Sequence, residues 1–399
     1  MRRTTTPFHR PVTRRCRIAP HVLAVVWLAG GTAAALFAAE NWMFSTPEPL
    51  PSPINLPNTF SASPWLTADG LTVYFASDRP GGYGKWDLWV ATRGSTSENW
   101  GEPVNLGPNI NTAGPEAMPC LSADGLTLYF GDGNPFNWTP RNGRSGDYQL
   151  WAVTRATPDG PWGIPKDLGA PLATTYAESY PHVSRDGLSL YFSSTRPGPG
   201  GLFVARRAAP TEPWLPPTNL GPILNQGSWA GCPCLSYDGL RLLYYTERTG
   251  GHGGYDLWMS TRATTTDAWP APANLGPQVN SGSYDITPCV SADFPSMGSS
   301  LLFSRNDIRD WNTRFKVYRS VVIPNVSLLR ATSLDGRWDP VNASFAPNPD
   351  DTILAEDAFD TTSPKLFYRV KQNGEAGGVR LLSAEKSGAR FRVRFQRVP

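Results

Sequence analysis

A nine-residue phrase recurs along this chain and constrains its fold more than any other feature. It reads TADGLTVYF at 67–75, SADGLTLYF at 122–130 and SRDGLSLYF at 184–192. A longer form, SYDGLRLLYY, follows at 236–245, and a worn one, SADFPSMGSSLLF, at 291–303. Their aspartates (Asp69, Asp124, Asp186, Asp238 and Asp293) lie 55, 62, 52 and 55 residues apart. A period in that range marks similar units set in a stack, a ring or an array. Asp-Gly suits a two-residue turn that needs positive φ, and the alternating apolar residues after it predict a strand. Each copy is the heart of a β-hairpin.

The unit extends beyond the hairpin. A Gly-rich loop comes next (RPGGYG at 79–84, RPGPGG at 196–201, RTGGHGG at 248–254). A third strand follows, as DLWVATR at 87–93, QLWAVTR at 149–155, LFVARR at 202–207 and DLWMSTR at 256–262. Then come a tryptophan (Trp100, Trp162, Trp214, Trp269) and the segments PVNLG at 103–107, PKDLG at 165–169, PTNLG at 217–221 and PANLG at 272–276. Four short strands per repeat with turns between them make a propeller blade. The 38 Gly, 40 Pro and 12% aromatic residues agree with a loop-rich, all-β chain. The reading is a five-bladed β-propeller over residues 54–323, with a sixth, degenerate blade in the C-terminal part as the alternative.

The fifth unit runs through FKVYRSVV (315–322) and never reaches an N-L-G segment of its own. PSPINLPNTFSASPWLT (51–67) resembles PVNLGPNINTAGPEAMPCLS (103–122), so Ile54-Asn55-Leu56 is expected to supply the missing outer strand and close the ring. Closure would remove exposed strand edges that invite aggregation. Residues 40–53 carry no periodicity and four prolines, and read as an extended spacer. Residues 324–399 leave the repeat. SLLRATSLDGRWDPV (327–341), KLFYRVKQ (365–372) and a hairpin about Lys386-Ser387-Gly388 predict a small all-β module or tail.

The N-terminus sets the compartment. Residues 1–20 hold six arginines and no acid, and residues 21–39 are 19 residues without a charge. Arginine on that flank keeps its end in the cytoplasm and sends the rest across the membrane. The run is a signal peptide or an anchor, since it nearly spans a bilayer and also ends in the small residues Ala38-Ala39. Either outcome makes the mature protein extracytoplasmic. Removing the six arginines from the formal total of +3 leaves residues 21–399 at −3. The folded part has no basic footprint, which argues against nucleic acid.

The pattern P-x-L-S-x-D-G-L-x-L-Y-F, then R-P-G-G, D-L-W-x-x-T-R and N-L-G, resembles the WD-repeat-like propeller repeat of TolB-type periplasmic proteins over residues 51–323. The segment from Trp338 to FYRV (367–370) is similar to small β-sandwich modules of bacterial secreted proteins. The resemblance implies a fold and leaves the task open, because such propellers host many functions.

Candidate chemistry sits on the innermost strands. Ahead of each strand's proline lie Ser61, Glu116, Glu178, Ala230 and Asp285. Glu116, Glu178 and Asp285 could converge at one channel mouth, bind a ligand there, or serve as the paired acids of a glycosidase. They would equally well hydrogen-bond backbone amides in the turns between blades, and that is the preferred reading. After the same prolines come Trp65, Cys120, His182, Cys234 and Cys289. Three thiols and an imidazole at equivalent positions suggest a soft metal. Without a C-x-x-C pair they read better as small packing residues, so no metal and no cofactor is expected. Export would also permit disulfides among Cys120, Cys232, Cys234 and Cys289, in several pairings. No G-x-S-x-G elbow occurs, and the R-P-G-G loops lack the Lys-Ser/Thr of a phosphate loop. The expected protein is a monomeric, non-catalytic binding or scaffolding propeller for protein or glycan, tethered by residues 21–39 if these are uncleaved. A glycoside-processing enzyme and a structural envelope protein are the alternatives.

Overall fold

The structure is a computed structural model that describes residues 42–132, 148–198, 200–227, 229–306 and 314–324, and the C-terminal strands between 326 and 398. The leader and apolar run therefore lie outside the described residues. Four blades each pair an innermost, second, third and two-residue outer strand in antiparallel order. The innermost strands are Ser61–Leu66, Glu116–Leu121, Glu178–Val183 and Ala230–Leu235. The fifth blade is built on Tyr284–Val290, Ser300–Asn306 and Lys316–Pro324. Each innermost strand contacts its two neighbours, and the fifth meets the first, so the ring is closed with five blades.

Strand alternation explains how the blades cohere. On the second strand of blade one, Val73 and Phe75 enter the core shared with blade five, whereas Tyr74 and Ala76 enter the core shared with blade two. The period of two thus feeds two interfaces from one strand. Buried clusters fill all five interfaces.

The repeat's polar residues fasten the ends of each blade. At one end, Gly70 takes φ +70° within a loop of four residues closed by Thr67 N–H to Thr72 O at 2.9 Å. The connection is thus longer than the expected two-residue turn, and only its glycine has positive φ. Asp69 is spent on it, accepting the Leu71 amide at 2.9 Å and the Thr67 hydroxyl. Arg93 donates to Gly70 O at 2.9 Å and lies 4.2 Å over Trp100, and Arg155, Arg207 and Arg262 repeat this on Trp162, Trp214 and Trp269. At the other end, Asp87 accepts the Tyr83 and Gly84 amides and the Asn105 side chain. Asn111 binds both the N–H and the C=O of Leu88, mimicking one more strand at the outer edge.

The N-terminus completes blade five, but through residues upstream of those the sequence pointed to. Trp42–Phe44 and Glu48–Pro49 pair antiparallel with Lys316–Pro324. Residues 40–53 thus contribute strands where a spacer was expected. Asn55 instead takes the role of Asn111, holding Val317 through both its N–H (2.9 Å) and its C=O (2.8 Å). Pro49 is tolerated because an outermost strand needs no donor on its free side. The C-terminal residues form a three-stranded and a four-stranded antiparallel sheet, the latter holding the hairpin 378–398. Ile353–Ala358 is one of its strands. Among the described residues no helix is long and apolar enough to cross a membrane.

Candidate functional site

The five innermost strands line a central channel with a narrow waist. Each is interrupted at the same place by a bulge, and the residue before its proline is left-handed. The φ values are 53° at Ser63, 61° at Met118, 54° at Tyr180, 54° at Cys232 and 51° at Thr287. Such a conformation costs a non-glycine residue roughly 1–3 kcal/mol, and proline disfavours the ordinary helical alternative just before it. Pro64, Pro119, Pro181, Pro233 and Pro288 line the waist, which leaves only about 20 Å³.

The bulge turns the residue after each proline toward the next blade. Cys120 accepts the Val183 amide at 3.3 Å, His182 the Leu235 amide at 3.1 Å and Cys289 the Leu66 amide at 3.2 Å. These residues are latches between blades. Burial pushes the Cys120 thiol well up, and the Cys289 hydrogen bond followed by burial does the same for Cys234. Neither is poised as a thiolate. Cys120, Cys232, Cys234 and Cys289 are all free thiols. Among the described residues, no three metal-ligating side chains come together.

The inner-strand acids point into the turns between blades. Glu116 accepts the Thr112 amide at 2.9 Å and its hydroxyl. Glu178 binds Thr174 in the same way and pairs with Arg196 at 3.2 Å. Asp285 accepts the Ser281 amide at 2.6 Å and pairs with Arg305 at 2.6 Å, while burial leaves its pKa above the usual carboxylate value. All three are fully buried, and none lines either mouth of the channel.

The mouths differ from one another. Where the innermost strands begin, the opening is filled by aromatic rings and leaves about 40 Å³. Phe60 stacks on Trp86 at 4.3 Å, and Tyr180, Tyr245, Tyr255 and Tyr284 form a chain of contacts at 5.1–5.8 Å. Trp86, Tyr148, Tyr255 and Phe315 share one repeat position, just ahead of the third strand. Their carbonyls receive an amide at the start of the next innermost strand, from Glu116, Glu178, Asp285 and Ser61. This aromatic signal stood in the sequence at a fixed offset and was missed.

At the opposite end, beside the Asp-Gly turns, lies an open depression of about 630 Å³. Its wall carries Asp69, Asp124 and Arg155 at repeat positions, and Asp159 where other blades have Ser97, Thr211 and Thr266. Four other lining residues break the repeat. Trp65 and His182 replace the cysteine found after the proline in the other blades, and their rings meet at 4.9 Å across non-adjacent blades. Burial lowers the His182 pKa to about 3, so the imidazole is neutral and accepts at Nε2. Arg185 and Tyr237 stand where Ala68, Ala123 and Ala292 occupy the other turns, and the guanidinium lies 4.2 Å over the ring. The departure from alanine was the signal available in the sequence.

No family model matches the chain, and neither does any curated protein. Solved structures do. TolB from Acinetobacter baumannii is 14% identical with a TM-score of 0.38, and the match covers 66% of this chain and 55% of that one. The chain therefore spans about half of TolB. An α-L-arabinofuranosidase from Podospora anserina in complex with cellotriose is 16% identical with a TM-score of 0.49, covering 72% and 98% of the two chains. An α-L-arabinofuranosidase from Lactobacillus brevis is 15% identical with a TM-score of 0.42, covering 75% and 94%. At such identities the likeness concerns the fold alone. On its repeat and its blades, the chain is a five-bladed β-propeller.

Proposed function

We propose that this chain is a non-catalytic binding propeller, exported from the cytoplasm, whose ligand is a glycan seated in the open mouth. The depression of about 630 Å³ on the channel axis, floored by the half-exposed Trp65, carries this reading. That volume falls in the range of small-ligand sites, and an indole face beside polar groups suits a sugar ring. Glycoside hydrolysis would need one carboxyl group held protonated beside a second that is ionised. At this mouth, hydrogen bonds from Thr67 and Ser122 lower the pKa of Asp69 and Asp124, which favours the charged form in both. The buried acids Glu116, Glu178 and Asp285 act instead as braces. The arginine-rich leader and the apolar run at 21–39 support export.

The test is a titration of the purified protein with soluble oligosaccharides, followed by tryptophan fluorescence, beside a turnover screen on aryl glycosides. Binding that is lost in Trp65→Ala, with no turnover, is expected. Turnover by the wild type that disappears in Glu116→Gln or Glu178→Gln would overturn the reading. For compartment, a periplasm-dependent reporter fused after Pro53 should be active, and activity solely from a cytoplasm-dependent reporter would reverse the topology.

A further inference from the structure

The cations and anions of the open mouth are unequally committed. Asp69 and Asp124 hold the amides of Leu71 and Leu126 at 2.9 Å each. Arg155 donates to Gly125 O at 2.8 Å and covers Trp162. Asp159 stands in the turn after the third strand, where Ser97, Thr211 and Thr266 stand in other blades. Of the two cations, Arg185 belongs to no repeat motif. It is exposed, lies 4.2 Å over the Tyr237 ring and has no carboxylate partner among the described residues. Stacking fixes the plane of a guanidinium and leaves its edge donors free, the arrangement that binds a carboxylate through two parallel hydrogen bonds.

We propose that the open mouth selects acidic sugars, with Arg185 pairing to the carboxylate of a hexuronate residue whose ring lies against Trp65. The proposal rests on the glycan reading of this mouth and adds a specificity-determining residue to it. A peptide strand suits the site less well. Strand addition needs an unpaired backbone edge, and the backbone here is closed on itself in all five turns. Thr67, Ser122, Ser184, Ser236 and Ser291 each donate across the hairpin to Thr72, Thr127, Ser189, Arg241 and Ser300. Recognition through side chains alone, an aromatic face with a cation beside it, favours the sugar.

The experiment is calorimetric titration of the full-length protein with trigalacturonate and with neutral galactotriose, in wild type, Arg185→Gln, Arg185→Lys and Arg314→Gln. Arg314 pairs with Asp78 beyond the opposite mouth and serves as the control. Wild type should bind trigalacturonate at least about ten-fold more tightly than the neutral sugar, a difference of about 1.4 kcal/mol. Arg185→Gln should abolish that preference, Arg185→Lys should restore part of it, and Arg314→Gln should leave it intact. Equal affinity for both sugars, unchanged in Arg185→Gln, would overturn the acidic preference and leave the glycan reading standing. Binding of neither sugar, or binding of a peptide in their place, would overturn both.

Discussion

The two mouths of the channel are made by opposite ends of the same five strands, yet one is filled and the other open. At the filled end, aromatic side chains recur at one repeat position in four blades, and rings of neighbouring blades meet and pack. At the open end the corresponding turns carry mostly alanine, and a cavity remains. Symmetry explains both outcomes. A large residue repeated around a ring closes it, whereas a small one leaves room that one or two substitutions can make specific. The repeated residues hold this molecule together, and the departures from repetition mark its candidate site.

That contrast can be broken experimentally, beginning with the ring that both mouths share. Deleting residues 42–50 removes the outer strands of blade five and the buried side chains of Phe44 and Leu50. With about 1.5–3 kcal/mol for each buried side chain and the ladder hydrogen bonds in addition, a loss of about 5 kcal/mol or outright unfolding is expected. A melting curve that does not move would show that blade five closes without the N-terminus.

Asp285→Ala should come next. It leaves Arg305 facing a carboxylate that is gone, and breaking a buried pair by removing one partner costs about 3–5 kcal/mol. Chemical denaturation should show that loss. A loss below about 1 kcal/mol would remove Asp285 from the braces and reopen a role in binding.

Gly231→Ala sharpens the contrast itself. A methyl group there would stand 2.6 Å from the Tyr245 ring and 2.7 Å from Trp229 Nε1, at the filled end. Overpacking of this kind costs about 1–3 kcal/mol. Stability should fall while saccharide binding at the open mouth persists. Loss of binding without loss of stability would mean that the filled end is the recognition surface.

The effect that is smallest near neutral pH, and grows only in acid, is that of His182. The His182 pKa falls from 6.5 in the unfolded chain to about 3 in the fold, chiefly through burial. The unfolded state therefore binds the extra proton between those values. The stabilisation is complete above about pH 6.5 and is lost as the pH falls toward 3, at up to about 1.4 kcal/mol per pH unit. His182→Gln keeps an acceptor for Leu235 and removes the titration, so its stability should vary less with pH across that window. Parallel curves for the two proteins would place His182 in a solvated setting.

Much of the fold was legible because a repeat states the same instruction several times. Asp-Gly, the alternating strand after it, T-R and the following tryptophan recur together because Arg93 and its equivalents bind the turn and the indole at once. The closing strand was harder to read. Glu48–Pro49 is two residues long, shows no periodicity and has meaning only against Lys316–Pro324, more than 260 residues away. Ile54-Asn55-Leu56 reads as the clasp because it resembles the N-L-G segment Val104-Asn105-Leu106, whereas in the fold Asn55 does what Asn111 does, bracing a strand rather than forming the outer one. Glu116, Glu178 and Asp285 were visible as residues, while their direction was not. Which way an inner-strand side chain points is set by the bulge at each proline and by the turn packed against it.

The sequence by itself determined the blade and the residues that fasten it, since both follow from local chemistry repeated along the chain. Tertiary structure alone decided that Trp65 meets His182 across the channel, that Arg185 lies on Tyr237, and that one mouth fills while the other stays open. Those outcomes depend on which side chains from different blades converge on a common axis. Spacing along a chain does not carry that information until the ring is closed.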